Sequence, residues 1–453
     1  AGSLPPAKPD PERYRRPGTV GSMEPEPVRV GVLGCGNVGA ALLILINEQH
    51  AAVARRTGLA LEVGAVAVRD PGRDRNVPVD PGLFTDDPAS VVANPEIDVV
   101  VEVMGGIDPA HRLVVEALER GKPVVTANKE LLASHGSELY ALAEGAGVDL
   151  LFEAAVAGAI PIMRLLRESL AGEPITRVMG IVNGTTNFIL SRMAEEAMPY
   201  GEALAEAQRL GYAEADPTAD VEGIDAAAKA AIMASLAFGV RVTADDVYRE
   251  GISSITSEDI EFAGRLDHCI KLLAIAERRD AGDGSNIGVR VHPAMVPLDH
   301  PLASVRDSFN AVFVEGEAVG ELMFYGRGAG GRPTASAVLG DLVDAAGNLR
   351  RSHGARIGDL QPAVVTPIEE LESAYYLEVE VDDRPGVLSR VAAVFGDHDV
   401  SIRSMEQEGL GVEARLIFIT HTARERDLRA TLEGLDGLDA VRSVGSMLRV
   451  VGD

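Results

Sequence analysis

The sequence predicts an α/β chain: a Rossmann-type parallel sheet, then an α+β unit, then a ferredoxin-like unit at the end. Three observations carry this. Strands and helices alternate from Val28 to Phe152, the pattern of a parallel sheet built from crossovers. The first strand runs into glycines at 34, 36 and 39, a spacing that turns the chain tightly into a helix. Residues 375–453 read β-α-β-β-α-β, the order of a split βαβ fold.

Taken in order, residues 1–27 are rich in Pro, Gly and charge and lack an apolar period, so they read as a disordered tail. Gly21-Ser22-Met23 resembles a cloning junction ahead of a start Met. Residues 28–153 form the first unit. Its strands are Val28–Leu33, Leu61–Val68, Ile97–Val103 and Pro123–Thr126, with helices from about Val38 to Arg56 and Pro109 to Arg120, and a last helix–strand pair ends at Phe152. Residues 154–325 are mixed: helices near 159–171, 185–197, 200–210 and 222–238, then short strands within 287–325. Residues 326–356 open on a Gly-rich turn, carry a helix from Thr334 to Ala346 and return to the first unit. Residues 357–374 read as a linker. In the last unit a strand at Tyr375–Val381 turns through Asp382-Asp383-Arg384-Pro385-Gly386-Val387-Leu388 into a helix ending near Phe395. Strands near 399–406 and 414–422, a helix near 424–435 and a strand near 439–450 complete it.

Composition narrows the function classes. Apolar residues are 46% and charged residues 25% of the 453, an ordinary globular balance that excludes a wholly disordered chain, collagen and a disulfide mini-protein. The net charge of −27 repels phosphate backbones and anionic lipid, so nucleic acid and membrane are poor partners. Two cysteines, Cys35 and Cys269, build no disulfide framework, and with no signal h-region in view they point to a reducing cytoplasm. The most apolar stretch, Ala226 to Val240, contains Lys229 and is too short to span a bilayer. Basic residues are 37 arginines and only five lysines, at 8, 122, 129, 229 and 271. Lysine alone offers a compact, titratable amine, so each of its positions is worth locating.

Gly34-Cys35-Gly36-Asn37-Val38-Gly39 has the G-x-G-x-x-G spacing, with a strand before it and a helix after. The first glycine permits the turn, the second lets backbone approach a pyrophosphate, and the third packs helix on strand. Residues 28–153 are therefore read as a dinucleotide-binding domain, with Gly34, Gly36, Asn37, Val38 and Gly39 against the phosphates. Gly105 and Gly106, at the end of the third strand, are placed on the same cofactor. At the second strand's tip stand Arg69 and Asp70. The Asp suits a free ribose 2′-hydroxyl and the Arg a 2′-phosphate; Arg69 turns the reading to NADP, with NAD left open. Cys35 reads as a small residue tolerated in the turn.

Thr126-Ala127-Asn128-Lys129-Glu130 follows another strand of the parallel sheet, where α/β folds place chemistry, so Lys129 is either a site residue or a surface amine at a helix start. Downstream, Leu210 to Lys229 is a Gly/Pro-punctuated loop with Glu214, Asp216 and Asp220 that enters an apolar helix, with Asp220 as its expected N-cap. Asp225 and Lys229 stand at i, i+4 on one face. A lysine there has either a paired structural role or a tuned catalytic one.

These segments, together with Asn183-Gly184-Thr185-Thr186-Asn187-Phe188-Ile189-Leu190, resemble the homoserine dehydrogenases of the short bacterial form that lacks a fused aspartate kinase. The resemblance covers residues 28–453. It implies reversible, NAD(P)-dependent interconversion of L-aspartate 4-semialdehyde and L-homoserine, in threonine, methionine and isoleucine biosynthesis. Lys229 would be the proton donor and Lys129 its neighbour at substrate and nicotinamide. Glu214 and Asp225 would hold the substrate ammonium, with Asp220 orienting the site. A desolvated lysine beside a second amine is expected to have its pKa lowered toward neutrality. Glu153 and the backbone carbonyls of Val156, Gly158 and Ile160 resemble the family's sodium loop, and Gly328 and Gly330 would approach the cofactor as the chain returns. Residues 154–325 become a substrate and dimerisation domain, in a homodimer or homotetramer.

The D-R-P-G-V-L turn makes residues 375–453 resemble an ACT domain, an amino-acid-sensing module that pairs with copies of itself, and the pathway implies L-threonine as feedback inhibitor. Two rival readings were open. An acylating semialdehyde dehydrogenase needs a catalytic cysteine, and Cys269 reads as part of an amphipathic helix. A regulator that binds nucleotide and amino acid without turnover is the alternative from another class.

Overall fold

The computed structural model describes residues 27–279, 286–351, 354, 357, 358, 360–409 and 411–452. The tail expected at the N-terminal end, up to residue 26, and Lys8 within it, lie outside the described residues.

The chain opens with β1 (Val28–Leu33), α1 (Asn37–Thr57), β2 (Leu61–Ala67), β3 (Phe84–Thr85) and α2 (Pro88–Ala93). There follow β4 (Val99–Glu102), α3 (Ala110–Glu119), β5 (Val124–Thr126), α4 (Lys129–Ala146) and β6 (Leu150–Leu151). The sheet runs β3-β2-β1-β4-β5-β6 with every pair parallel. Its strands are near-continuous apolar runs because helices cover both faces. Strand order reverses between β1 and β4, and ligands bind such sheets at that switch point. Side chains of Asp87 and Asn128 accept N–H groups at the starts of α2 and α4, and left-handed Gly58 and Gly147 end α1 and α4.

After β6 a single turn, α5 (Ile162–Arg164), continues as a π-helical turn through Ser169, because Leu170 N–H donates to the Leu165 carbonyl at 2.9 Å. The helix expected over 159–171 is thus replaced by a shorter, wider coil. Next come β7 (Ile175–Ile181), α6 (Gly184–Glu196), α7 (Tyr200–Arg209), α8 (Thr218–Val221) and α9 (Ile224–Phe238). They are followed by β8 (Val240–Arg241), β9 (Tyr248–Arg249), α10 (Ser257–Arg265), β10 (His268–Arg278), β11 (Asn286–Pro297), β12 (Phe309–Gly316) and β13 (Gly320–Arg327). Cys269 therefore lies on a strand, not on the helix expected for it. α11 (Gly331–Arg351) returns to the first unit, burying Ala335, Val338 and Leu342 in one cluster with Leu42 and Leu43 of α1.

The expected linker contains β14 (Gln361–Pro362) and β15 (Val364–Val365), which pair with β8 and β11, so this stretch is tied down rather than free. β16 (Glu372–Asp382), α12 (Val387–Asp397), β17 (Ile402–Gly409), β18 (Glu413–Thr420), β19 (Ala423–Arg424), α13 (Glu425–Asp436) and β20 (Val441–Val450) give the βαββαβ unit. Its own core joins Tyr375, Leu377 and Val379 to Val391, Phe395, Leu428 and Leu435. β20 also pairs in parallel with β11, Ala294 opposite Arg449, so one sheet, β13-β12-β7-β10-β11-β20-β16-β18-β17, runs through both units.

Candidate active site

The glycine loop has the geometry its spacing demands. Gly34 sits at φ +103°, and a Cβ there would lie 2.8 Å from the Val103 carbonyl oxygen. A Cβ on Gly39 would stand 2.2 Å from the Gly34 oxygen, so helix and turn are in contact. A Cβ on Gly36 would meet nothing within 4 Å, and no side chain caps α1. The helix therefore presents free N–H groups, beginning at Asn37 and Val38, to an open space that fits a pyrophosphate. Arg69 is exposed just past β2, beside Asp70, whose Oδ1 accepts Gly72 N–H at 3.0 Å. Burial pushes the half-buried Cys35 thiol up, against nucleophile behaviour.

A buried carboxylate organises the second loop. Glu102, fully buried at the end of β4, accepts Met104 N–H at 2.8 Å and Gly105 N–H at 3.3 Å on one oxygen, and Thr126 Oγ1–H at 2.6 Å on the other. Burial raises its pKa, with these donors opposing. Asn128 closes the ring by donating to the Gly106 carbonyl at 2.6 Å while its Oδ1 caps α4 at Leu131 N–H. Left-handed Gly105 and Gly106, and Lys129 at the first position of α4, are thereby fixed relative to one another.

Facing them is the start of α9. Gly223, at φ +74°, begins this helix, and Asp220 belongs to the separate turn α8, so Asp220 is not its N-cap. Asp225 and Lys229 both point to one buried place. Lys229 Nζ donates to Asp225 Oδ2 at 2.7 Å and to the Val182 carbonyl at 2.7 Å. Lys129 Nζ, from the other domain, pairs with Asp225 Oδ1. Asn183 Nδ2 bridges Asp225 Oδ2 at 2.9 Å and Asp220 Oδ1 at 2.7 Å. Burial alone would raise the Asp225 pKa, but the two ammonium groups hold it well below the usual carboxylate range. For Lys129, burial pulls down most strongly, but Asp225, with Asp220 and Glu130 behind it, together pull upward, so its pKa is raised. The expected lowering by a neighbouring amine does not occur at Lys129, because the carboxylate stands between the amines.

The array opens on a cleft of about 220 Å³ whose walls include Gly105, Gly106, Lys129, Ala155, Lys229 and Gly328. Five of these residues, drawn from four separate stretches of sequence, are predicted site residues brought together; Ala155 is not one of them. Gly330, at φ +120°, sits next to the rim, and a Cβ on Gly331 would lie 3.0 Å from the Asn37 carbonyl oxygen. Glu214 is exposed and does not line the cleft. Asp225 is already committed to two lysines and Asn183.

In the loop after β6, both Glu153 oxygens accept N–H groups, Met163 at 2.8 Å and Arg164 at 2.9 Å. That carboxylate holds the start of α5, and the Ile160 carbonyl accepts Ile162 N–H at 2.8 Å. Gly158 is needed for packing: a Cβ there would sit 2.3 Å from the Gly328 oxygen, where this loop crosses the returning chain.

Comparisons with known proteins now decide the family. Residues 34–153 match the profile of the homoserine dehydrogenase NAD binding domain, 161–343 that of homoserine dehydrogenase, and 375–439 that of the ACT domain. A homoserine dehydrogenase from Mycobacterium tuberculosis is 53% identical over 435 residues, 94% of this chain and 98% of that one. The chain belongs to the homoserine dehydrogenase family. Among solved structures, a homoserine dehydrogenase from Thiobacillus denitrificans superposes with a TM-score of 0.88 at 42% identity, covering 94% of this chain and 98% of that one. A hyperthermophilic archaeal homoserine dehydrogenase in complex with NADPH gives 0.59 at 30% identity, over 71% of this chain and 98% of the other.

Membership in this oxidoreductase family goes against the regulator without turnover. The acylating rival loses its nucleophile as well, since burial raises the Cys269 thiol on β10. The remaining described lysines are held by carbonyls: Lys271 donates to Val305 O at 2.6 Å and Asn187 Oδ1 at 3.0 Å, and Lys122 to Asn94 O. Glu102, Asn128 and Asn183 carry site geometry that sequence reasoning did not single out. For Asn128 and Asn183 the signal was present: an Asn directly before a helix is a cap, and its amide NH2 remains free for the site. Among the described residues no helix is long and apolar enough to cross a membrane.

Proposed function

We propose that the chain interconverts L-aspartate 4-semialdehyde and L-homoserine with Lys229 as the proton donor and acceptor. The observation that carries this is the Lys129–Asp225–Lys229 array opening on the same cleft as the Gly105-Gly106 loop. Bound along the glycine loop, a nicotinamide dinucleotide supplies hydride exchange at the carbonyl carbon. Everything else falls to the chain.

An ammonium has three N–H donors. Two on Lys229 are committed, to Val182 O and Asp225, and the third is left for the aldehyde oxygen. As the carbon is reduced, Lys229 gives that oxygen its proton; in the reverse direction it takes the proton from the hydroxyl. Lys129, its pKa raised by Asp225, stays charged and stabilises the developing negative oxygen. Asp225 stays ionised and fixes both amines. Asp220, held by Asn183 beside Asp225, and Glu214 are the proposed holders of the substrate ammonium.

NADP is the proposed cofactor, on Arg69 and on the NADPH-bound archaeal relative. Sodium is proposed at Glu153 and the carbonyls of Val156, Gly158 and Ile160, where it supplies local positive charge only. L-Threonine is proposed as effector at the C-terminal unit, in a cytoplasmic homodimer or homotetramer. The test is absorbance gain from purified protein with L-homoserine and NADP or NAD, beside Lys229→Ala and with added L-threonine. Turnover lost in the variant supports the reading; folded, nucleotide-binding protein without turnover refutes it.

A further inference from the structure

On the outer surface of the first unit, His111 projects from the first turn of α3, and His135 and Glu138 stand one turn apart on α4. Glu138 Oε2 lies 3.0 Å from His111 Nε2 and 3.6 Å from His135 Nδ1, and one ligand atom from each residue falls within 4.8 Å of the other two. The two rings approach to 4.4 Å between centroids. Hydrogen bonding accounts for only half of this. The His111 contact is a normal bond, but 3.6 Å is too long for one from His135. It is the right length for two ligands on one ion: bonds of about 2.0–2.2 Å in a tetrahedral site put ligand atoms roughly 3.3–3.6 Å apart, and the exposed Glu138 would open its 3.0 Å contact with His111 by a few tenths of an ångström.

We infer that His111, His135 and Glu138 form a binding site for a divalent transition-metal ion of the zinc class. Two imidazoles and one carboxylate select Zn²⁺, Co²⁺ or Ni²⁺ over the oxygen-seeking Mg²⁺ and Ca²⁺. The side chains are between about a third and a half exposed, so water completes the coordination. The ion would clamp α3 to α4. α3 follows the Gly105-Gly106 loop, and α4 begins at Lys129, so the clamp ties the helix behind that loop to the helix whose first turn lines the cleft. This site is separate from the lysine array and stands whether or not the proposed reaction is correct.

The test is titration of untagged protein with Co²⁺, followed by its visible absorption, and with Zn²⁺ by calorimetry. Wild type is expected to bind one ion per chain and to gain thermal stability with Zn²⁺. His135→Ala and Glu138→Gln should each weaken binding at least about tenfold, and His111→Ala/His135→Ala should abolish it while the metal-free protein keeps its circular dichroism. Binding unchanged in that double variant would move the ion elsewhere and overturn the site, as would no binding by wild type. Neither result touches the dehydrogenase assay.

Discussion

The cleft and the seam between the catalytic sheet and the C-terminal unit hold charge in mirror-image ways. In the cleft one carboxylate, Asp225, is shared by two lysines. At the seam one guanidinium, Arg449, is shared by two carboxylates: Glu250 at 2.9 and 3.0 Å, and Glu425 at 2.8 Å on each of two nitrogens. Arg449 is 2% exposed. The two regions differ in the kind of cation they use. A guanidinium keeps its proton and offers a flat fork to two carboxylates, whereas an amine can give its proton away. A chain with 37 arginines and five lysines places two of those lysines on one carboxylate at the cleft. The regions are also neighbours. Ile252 N–H, two residues from Glu250, donates to the Val221 carbonyl at 2.8 Å, just ahead of the helix that bears Asp225 and Lys229.

Breaking the cleft is expected to have the largest effect. Asp225→Asn removes the shared anion, and kcat should fall by about 10²-fold or more. With burial then unopposed by Asp225, the Lys129 pKa should drop, moving the alkaline limb of the pH–rate profile to lower pH. Breaking the seam should cost stability instead. Arg449→Ala leaves Glu250 and Glu425 facing each other, with an expected loss of about 3–5 kcal/mol, read as a lowered Tm, while Arg449→Lys should fall between the two.

Gly36→Ala sharpens the contrast between folding and binding. Its Cβ meets nothing, so Tm should hold while nucleotide Kd rises roughly tenfold. Gly39→Ala, which drives a Cβ into the Gly34 carbonyl, should lower Tm. The last effect concerns a carboxylate that is buried with too little cation. Asp341 is pushed up to about 7 by burial, although Arg164 lies 3.1 Å away. Unfolded chain releases this proton near pH 4, so the group's contribution to stability is complete below that and lost as pH rises to about 7. Asp341→Asn should therefore flatten the fall of Tm between pH 4 and 7.

Much of the cleft was legible because its signals are local. The glycine spacing and the i, i+4 placement of Asp225 and Lys229 are set within single turns. The pairing of Lys129 with Asp225 joins residues 96 apart, and no local pattern announces it. β7 and β10 were missed for a related reason: both of their faces are buried, so they lack the alternation that marks a half-exposed strand. That absence let Cys269 read as helical. Nor does any period in β20 foretell its pairing with β11, which makes one sheet of two units.

The most direct test of the contrast is the rate of L-homoserine oxidation by Lys229→Arg, with nucleotide affinity and circular dichroism measured alongside. The charge stays but the proton no longer leaves. The rate should drop by about 10²–10⁴-fold with nucleotide Kd unchanged. A rate within about twofold of wild type would contradict the assignment of proton transfer to Lys229.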